Sequence, residues 1–176
     1  MNGYCFFIVL LFLLPKIISA QILSVTCVEK ETKNPEDGYP ILTRTCIIKK
    51  YKFKSIGYSD NLGRYTTYVY KVFKQVNKKW VKAVNSSFFN KNQAKLVSII
   101  NARIQKDFKI FSSDSTTKSC FDNLKTIPLY KMDDFGISFQ NNQIWFTVDW
   151  DLGNYCLPVG ASIVDFKLPE IQKYVK

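Results

Sequence analysis

The 176-residue sequence contains no histidine, and this absence excludes more chemistry than any other feature of its composition. Without an imidazole the chain has no Ser-His-Asp or Cys-His catalysis, no histidine-ligated metal and no ordinary side-chain titration near neutral pH. Glycine and proline are also few, with seven and six residues, and no linker rich in either divides the chain. Carboxylate chemistry or binding without catalysis are the functions that remain.

Long hydrophobic runs are absent beyond the first 20 residues. The run from Phe6 to Leu14 is too short to span about 30 Å of hydrocarbon as a helix, but it suits the apolar core of a signal peptide. Ser19 and Ala20 supply small residues before a cleavage point, although no Lys or Arg precedes the run. We therefore expect residues 1–20 to be a signal peptide and residues 21–176 to form one secreted or periplasmic domain. An uncleaved anchor is the alternative.

Cysteine is sparse, and four of the five cysteines remain after residues 1–20 are removed. An even number in an exported chain is typical of a disulfide framework. Among the three pairings, we favour Cys27 with Cys46 and Cys120 with Cys156, because each pair brackets one local β unit. A zinc site is the alternative, but the sequence has neither a Cys-x-x-Cys pair nor a histidine ligand. We expect two disulfides, no metal and no cofactor.

Acidic side chains are few where basic ones are many. Residues 44–82 hold eleven Lys and Arg side chains and a single acid, Asp60. A charge block of this size favours an anionic partner, such as an anionic polysaccharide or other envelope polymer, although a protein partner is also consistent with it. Nucleic acid is not favoured, because the chain has the features of an exported protein and carries no nucleic-acid-binding motif.

Two predicted strands carry this charge. Residues Cys46–Lys54 alternate with a period of two, which predicts a strand with lysines on one side and apolar residues on the other. The lysines are Lys50, Lys52 and Lys54, and the apolar residues are Ile47, Tyr51 and Phe53. The aromatic and β-branched run Tyr65–Val76 predicts a second strand, joined by an Asn77–Lys78 turn to a partner over Lys79–Val84.

These strands predict a twisted sheet that exposes lysine and tyrosine. The candidate binding residues on its basic side are Lys50, Lys52, Lys54, Lys71 and Lys74. The functional hypothesis is an anion-binding surface with tyrosines available for stacking. The alternative is a solvated lysine-rich face that only prevents edge-to-edge aggregation.

A long amphipathic helix is predicted over Asn90–Asp107, with Asn90 or Ser87 as its N-cap. Its apolar stripe recurs every fourth residue, at Leu96, Ile100, Ile104 and Phe108. Three polar residues are expected to face away from the core: Lys95, Asn101 and Lys106. The pattern indicates a helix that packs on a core and carries no chemistry.

A second hairpin follows, over Phe135–Phe139 and Ile144–Trp150, with Trp145 and Asp149 on the side opposite its apolar rows. A further strand over Ala161–Phe166 and a short helix opened by Pro169 complete the chain. The expected fold class is therefore α+β: an antiparallel sheet packed against one amphipathic helix, with a short C-terminal helix and two disulfides.

The order of elements in the second half resembles that of a known exported domain. The resemblance is carried by Phe88-Phe89, the amphipathic helix, the Phe135–Phe139 strand with its aromatic partner, Leu152–Tyr155 with Gly160, and the Leu168–Ile171 helix. Residues 86–175 are similar to a domain of unknown function found in RsiV-type anti-sigma factor ectodomains and in the C-terminal part of some peptidoglycan deacetylases.

This resemblance implies an extracytoplasmic α+β binding module near the cell wall. In the RsiV type the module senses lysozyme by binding it. Lysozymes are usually basic, and two cationic surfaces repel each other at long range, so we transfer neither that partner nor any residue. A lysozyme-binding or inhibitor-like module is kept as an alternative function.

An enzymatic function would have to rely on carboxylates. Asp149 and Asp151, two positions apart beside Trp145, make a carbohydrate-active hydrolase a second alternative. Glycosidases, however, take their two carboxylates from separate elements across a cleft. The Asp133–Asp134 pair lacks the Asp-x-Asp-x-Asp-Gly loop of a calcium site. We expect a non-enzymatic binding protein.

Overall fold

The computed structural model describes residues 23–60, 62, 64–152, 156 and 159–176, so the expected signal peptide lies outside the described residues. Eight strands and two α-helices are formed within this part of the chain. The strands are β1 (Thr26–Lys33), β2 (Pro40–Ile48), β3 (Tyr51–Ser59), β4 (Tyr65–Val76), β5 (Lys79–Ala83), β6 (Gly136–Gln140), β7 (Gln143–Asp149) and β8 (Ala161–Lys167). The helices are α1 (Gln93–Ser113) and α2 (Leu168–Ile171).

Two antiparallel sheets organise these strands. The first sheet has five strands in the order β1-β2-β3-β4-β5, and the second has three in the order β6-β7-β8. Within each sheet, every strand therefore pairs with its neighbour in sequence, through short turns or, between β7 and β8, through a longer connection. The α+β class, the long helix, the short C-terminal helix and the two disulfides are confirmed, whereas the division into two sheets was not predicted.

The core forms where α1 packs on the second sheet. The predicted helix stripe is confirmed, because Leu96, Ile100, Ile104 and Phe108 are all buried. The facing strand residues alternate as expected, with the buried side comprising Ile137, Phe139, Ile144, Phe146, Val148, Val164 and Phe166. Trp145 and Asp149 project from the opposite side of this sheet, as predicted.

The two sheets meet at strand β6, which is an edge of the second sheet. The Phe53 ring of β3 lies 5.0 Å from the ring of Phe139, and 5.2 Å from that of Phe88, centroid to centroid. Arg44 of β2 donates a hydrogen bond from Nη1 to the backbone carbonyl of Phe139 (3.3 Å). An edge strand that would otherwise present unpaired backbone groups is thereby covered.

Gly136 of β6 is required by the tyrosine that packs on it. A Cβ at this position would overlap the Tyr70 ring, near its base, where the ring has little freedom to move. We expect Gly136→Ala to lower the free energy of unfolding by about 1–3 kcal/mol, because the ring must be displaced. Urea denaturation measures this, with Ser138→Ala, two residues further on the same side of the strand, as the matched control. Equal stability of the two variants would contradict the packing argument.

The predicted strand over Cys46–Lys54 is wrong: the chain turns at Lys49 and Lys50, between β2 and β3. Lys49 adopts a left-handed backbone conformation, with φ of 52°, as a two-residue hairpin turn requires. The turn also changes which isoleucine is inward. Ile48 is 1% exposed and Ile47 is 43% exposed, so Ile47 does not share a side with the buried Tyr51.

Helix α1 begins and ends later than residues 90–107. Neither expected cap is used. Asn90 accepts a hydrogen bond at Oδ1 from the backbone N–H of Asn92 (2.9 Å), in a turn before the helix, and Ser87 ends a separate short 3-10 helix. The helix therefore starts only where the chain leaves that turn.

Asn101 was expected to face solvent and instead is buried, at 6% exposure. Its Nδ2 donates to the backbone carbonyl of Tyr130 (2.8 Å), and its Oδ1 accepts from the backbone N–H of Tyr130 (2.8 Å). The side chain pairs with the loop before β6 as a neighbouring strand would. This pairing satisfies a buried amide that would otherwise cost free energy.

Both expected disulfides are confirmed. Cys27 and Cys46 lie directly opposite each other in the β1–β2 register, with their Cα atoms 4.0 Å apart. The Cα atoms of Cys120 and Cys156 are 5.7 Å apart. All four cysteines of the described chain are therefore occupied as disulfides and are not zinc ligands.

Candidate functional site

The five-stranded sheet packs the central part of one side on the rest of the protein, through Cys46, Tyr51 and Phe53, and exposes its other side to solvent. Cross-strand register places Lys52 and Phe73 opposite each other, and Phe73 opposite Lys82, on the solvent side. On the same side Lys54 of β3 lies opposite Lys71 of β4. We name the five lysines on this side the basic face: Lys30, Lys52, Lys54, Lys71 and Lys82.

The strands contribute no acid to the basic face. Glu29 and Glu31 are the only acidic residues within β1 to β5, and alternation along β1 places both on the opposite side from Lys30. About 4.8 Å separates neighbouring strands, so the lysines extend across roughly 20 Å from β1 to β5. Five like charges within this distance create a positive potential over the whole side of the sheet.

Aromatic rings hold the ammonium of Lys52. Its Nζ lies 4.8 Å from the ring centroid of Phe73 and 4.8 Å from that of Trp80. Attraction between a cation and the faces of two rings limits the freedom of this side chain. The basic face therefore contains one positioned charge with amphipathic aromatic surface beside it.

The structure brings together three of the five predicted binding residues: Lys52, Lys54 and Lys71. Lys74 lies on the other side of the sheet, opposite Tyr51 in the register and with its Nζ 5.9 Å from the Tyr51 ring. Lys50 lies in the β2–β3 turn, where its backbone carbonyl accepts from the N–H of Gln75 (2.8 Å). Alternation along a single unbroken strand grouped Lys50 with Lys52 and Lys54, and the turn at residues 49–50 invalidates that grouping. Lys74 is three positions from Lys71 on β4, so alternation places the two on opposite sides of the sheet.

Lys30 and Lys82 complete the basic face and were missed. β1 was not predicted, because its sequence is polar and every residue in it is exposed. The disulfide pairing of Cys27 with Cys46 was the signal that could have revealed it, since a directly opposed cysteine pair implies a strand on each side. Lys82 follows from the predicted hairpin once its register with Phe73 is known.

Two tyrosines lie on the inward side of the sheet, and not beside the lysines as expected. Tyr68 and Tyr70 stack with centroids 6.3 Å apart. Burial raises the pKa of Tyr70 above its ordinary value, and a hydrogen bond with Thr147 opposes this only in part. Burial also raises the pKa of Tyr68, while the nearby charge of Arg44 lowers it. Both tyrosines are therefore neutral at physiological pH.

Arg44 borders a cleft of about 500 Å³ between the β1–β2 hairpin and the β6–β7 turn. Its guanidinium is bound to the carboxylate of Glu29 and also donates to the side-chain carbonyl of Gln140 (3.2 Å). Together with the hydrogen bond to the Phe139 carbonyl, these contacts occupy the Arg44 guanidinium with partners inside the protein, and the carboxylate of Glu29 neutralises its charge. The cleft is consequently a weaker anion site than the basic face.

The carboxylates singled out by the sequence have structural partners. Asp149 and Asp151 are both exposed, and Asp149 Oδ1 accepts from the backbone N–H of Asp151 (2.8 Å). Asp133 accepts from the N–H and hydroxyl of Ser86 (2.7 and 2.9 Å), and Asp134 accepts from the N–H of Lys131 (2.7 Å). No group of three or more metal-ligating side chains occurs in the described part of the chain. These acids stabilise turns in an open, solvated setting.

Comparison with protein-family models, with curated proteins and with solved structures found no match to this chain. The resemblance of residues 86–175 to the RsiV-type domain stays a prediction, because none of these comparisons bears on it. Neither helix in the described residues has the length and hydropathy of a transmembrane span.

Proposed function

We propose that this protein is a non-enzymatic binding protein that acts outside the cytoplasm and holds an anionic component of the cell envelope, such as an anionic polysaccharide or other envelope polymer. One observation carries the proposal: five lysines share one side of the sheet, and the strands place no carboxylate among them. Two disulfides support the location, since they persist in oxidising compartments.

The basic face suits a partner with many charges better than a small anion. The lysines are spread over four of the five strands and do not converge on a cavity, so each contributes a separate weak contact. Two unit charges 4 Å apart in water attract by about 1 kcal/mol. Several such contacts are needed for useful affinity, and salt weakens all of them, since the Debye length falls from about 10 Å at 0.1 M to about 3 Å at 1 M.

The test uses heparin as a soluble polyanion probe. Replacing Lys52, Lys54 and Lys71 together by glutamine should weaken heparin binding on the order of 100-fold at 0.1 M salt, from about 1 kcal/mol per contact. Unfolding temperature should fall by only a few degrees, because Lys71 is exposed and the half-buried Lys52 and Lys54 form no ion pair within the described residues, and the ring contacts of Lys52 are worth about 0.5–1 kcal/mol. Titration calorimetry measures the affinity.

The matched control replaces three exposed lysines outside the sheet, Lys91, Lys95 and Lys106, by glutamine, so that the net charge falls equally. Binding by this variant should stay within a few-fold of the wild type, since the basic face is intact. If both variants lose the same affinity, net charge and not the face governs binding, and the proposal fails.

A further inference from the structure

The basic face also carries exposed apolar side chains, and these narrow the class of partner that it can bind. Three aliphatic side chains project from the same side of the sheet: Val28, Ile47 and Val69 are 65%, 43% and 37% exposed. Ile47 lies directly opposite Lys52 in the β2–β3 register, and Val28 shares a cross-strand row with Lys54. Apolar and cationic side chains are therefore interspersed over one surface.

Aromatic residues extend this apolar surface. Phe73 and Trp80 lie half-buried on the same side, next to the ammonium of Lys52. A tryptophan has an apolar ring with one polar N–H, which suits a boundary between water and an apolar phase. Lysine behaves similarly, because its stem can cover apolar surface while its ammonium stays in water.

Resting on the anion-binding role proposed above, we propose that the partner of the basic face is the surface of an anionic lipid bilayer. Charge complementarity requires an anionic partner, and the exposed aliphatic and half-buried aromatic side chains favour one with an apolar layer beneath its charges. A hydrated polyanion would neutralise the lysines but leave Val28, Ile47 and Val69 in water. A bilayer covers both kinds of side chain at once.

In this arrangement the sheet lies on the membrane with its solvent side down. The five lysines contact anionic headgroups, while Ile47, Val69 and Trp80 reach the boundary between headgroups and acyl chains. The rest of the domain, including α1, stays above the surface on the opposite side of the sheet. No segment needs to cross the bilayer for this contact.

The test measures binding of the purified protein to phosphatidylcholine vesicles with and without phosphatidylglycerol, by co-sedimentation. We expect strong binding only where phosphatidylglycerol is present. Replacing Val28, Ile47 and Val69 by threonine keeps β-branched residues in the strands, so the sheet should remain folded. This variant should bind phosphatidylglycerol vesicles about 10-fold or more weakly than the wild type, because apolar burial is lost, but should bind heparin equally well.

A second readout places Trp80 relative to the lipid. In a Trp145→Phe background, bromine atoms on the acyl chains should quench tryptophan emission on binding. Trp150, at 5% exposure, lies in the protein core and should not be reached. Quenching that disappears in a further Trp80→Phe variant would assign the signal to the basic face.

The outcomes separate the two proposals. Binding to heparin but not to phosphatidylglycerol vesicles overturns the bilayer inference and leaves the proposed function standing. Vesicle binding that is unchanged in the threonine variant also overturns the inference, because the aliphatic side chains would then not contact lipid. Equal binding to vesicles of phosphatidylcholine alone overturns it as well. Binding through the apolar segment from Phe6 to Leu14 would give that result, since this segment does not discriminate lipid charge. If the wild-type protein binds neither heparin nor phosphatidylglycerol vesicles, the proposed function is overturned as well.

Discussion

Asn101→Ala should lower the free energy of unfolding by about 3 kcal/mol, because each buried polar group left without its partner costs about 1–3 kcal/mol. The substitution removes two hydrogen bonds of 2.8 Å to the backbone of Tyr130 and leaves that N–H and carbonyl unsatisfied. The gain in helix propensity from alanine is only a fraction of this loss. Equilibrium unfolding in urea, monitored by circular dichroism, provides the measurement.

Lys106→Ala is the matched control, since Lys106 lies on the exposed side of the same helix. Its effect should stay within about 0.5 kcal/mol of the wild type. A loss of less than about 1 kcal/mol in Asn101→Ala would show that water replaces the amide, and that the loop before β6 does not depend on the helix.

Replacing Cys120 and Cys156 by alanine should lower the free energy of unfolding by about 4 kcal/mol, the entropy of closing a loop of this length in the unfolded chain. The two cysteines are separated by 36 positions, and their bond ties the segment after α1 to the segment after β7. The unfolded chain also becomes more expanded without this link. The slope of stability against urea should therefore rise in the variant.

The second disulfide supplies the comparison. Cys27 and Cys46 are only 19 positions apart, so their loop-closure contribution is smaller, about 3 kcal/mol. Reductant should destabilise the wild type by more than it destabilises the variant without Cys120 and Cys156, or a matching variant with Cys27 and Cys46 replaced by alanine, since each variant has one bond left to lose. If reductant leaves the stability of the wild type unchanged, the bonds contribute nothing and the loop-entropy argument is wrong.

The turn between β2 and β3 explains why the sequence predicted only part of the basic face. The charge block over residues 44–82 predicted an anion-binding surface, and Lys52, Lys54 and Lys71 do share one side of the sheet. The turn at residues 49–50 contains neither glycine nor asparagine, and consecutive isoleucines fit either alternation. A one-residue change in alternation moves every side chain to the other side, which is why Ile47 was misplaced. Lys50 was misplaced because it lies in the turn itself.

The inward orientation of Cys46 resolves this ambiguity. Cys46 is 2% exposed and bonded to Cys27 across the register, so alternation places Ile48 inward and Ile47 outward. The exposed Ile47 then becomes part of the surface that we propose contacts lipid. The strand pairing, and not the local pattern of residues, therefore decides which side chains of β2 lie on the same side as the basic face.

The sequence by itself determined the elements whose pattern is local: the stripe of α1, the alternation of β6 and β7 and the turn after β4. These follow from the geometry of a helix or strand. The even number of cysteines predicted two disulfides but allowed three pairings, and the structure confirms the pairing favoured because each pair brackets a local β unit. Only the tertiary structure decided that Asn101 is buried, since its partner Tyr130 lies 29 positions away. It also decided which lysines share a surface, because that depends on the pairing of five strands and not on the order of residues within any one of them.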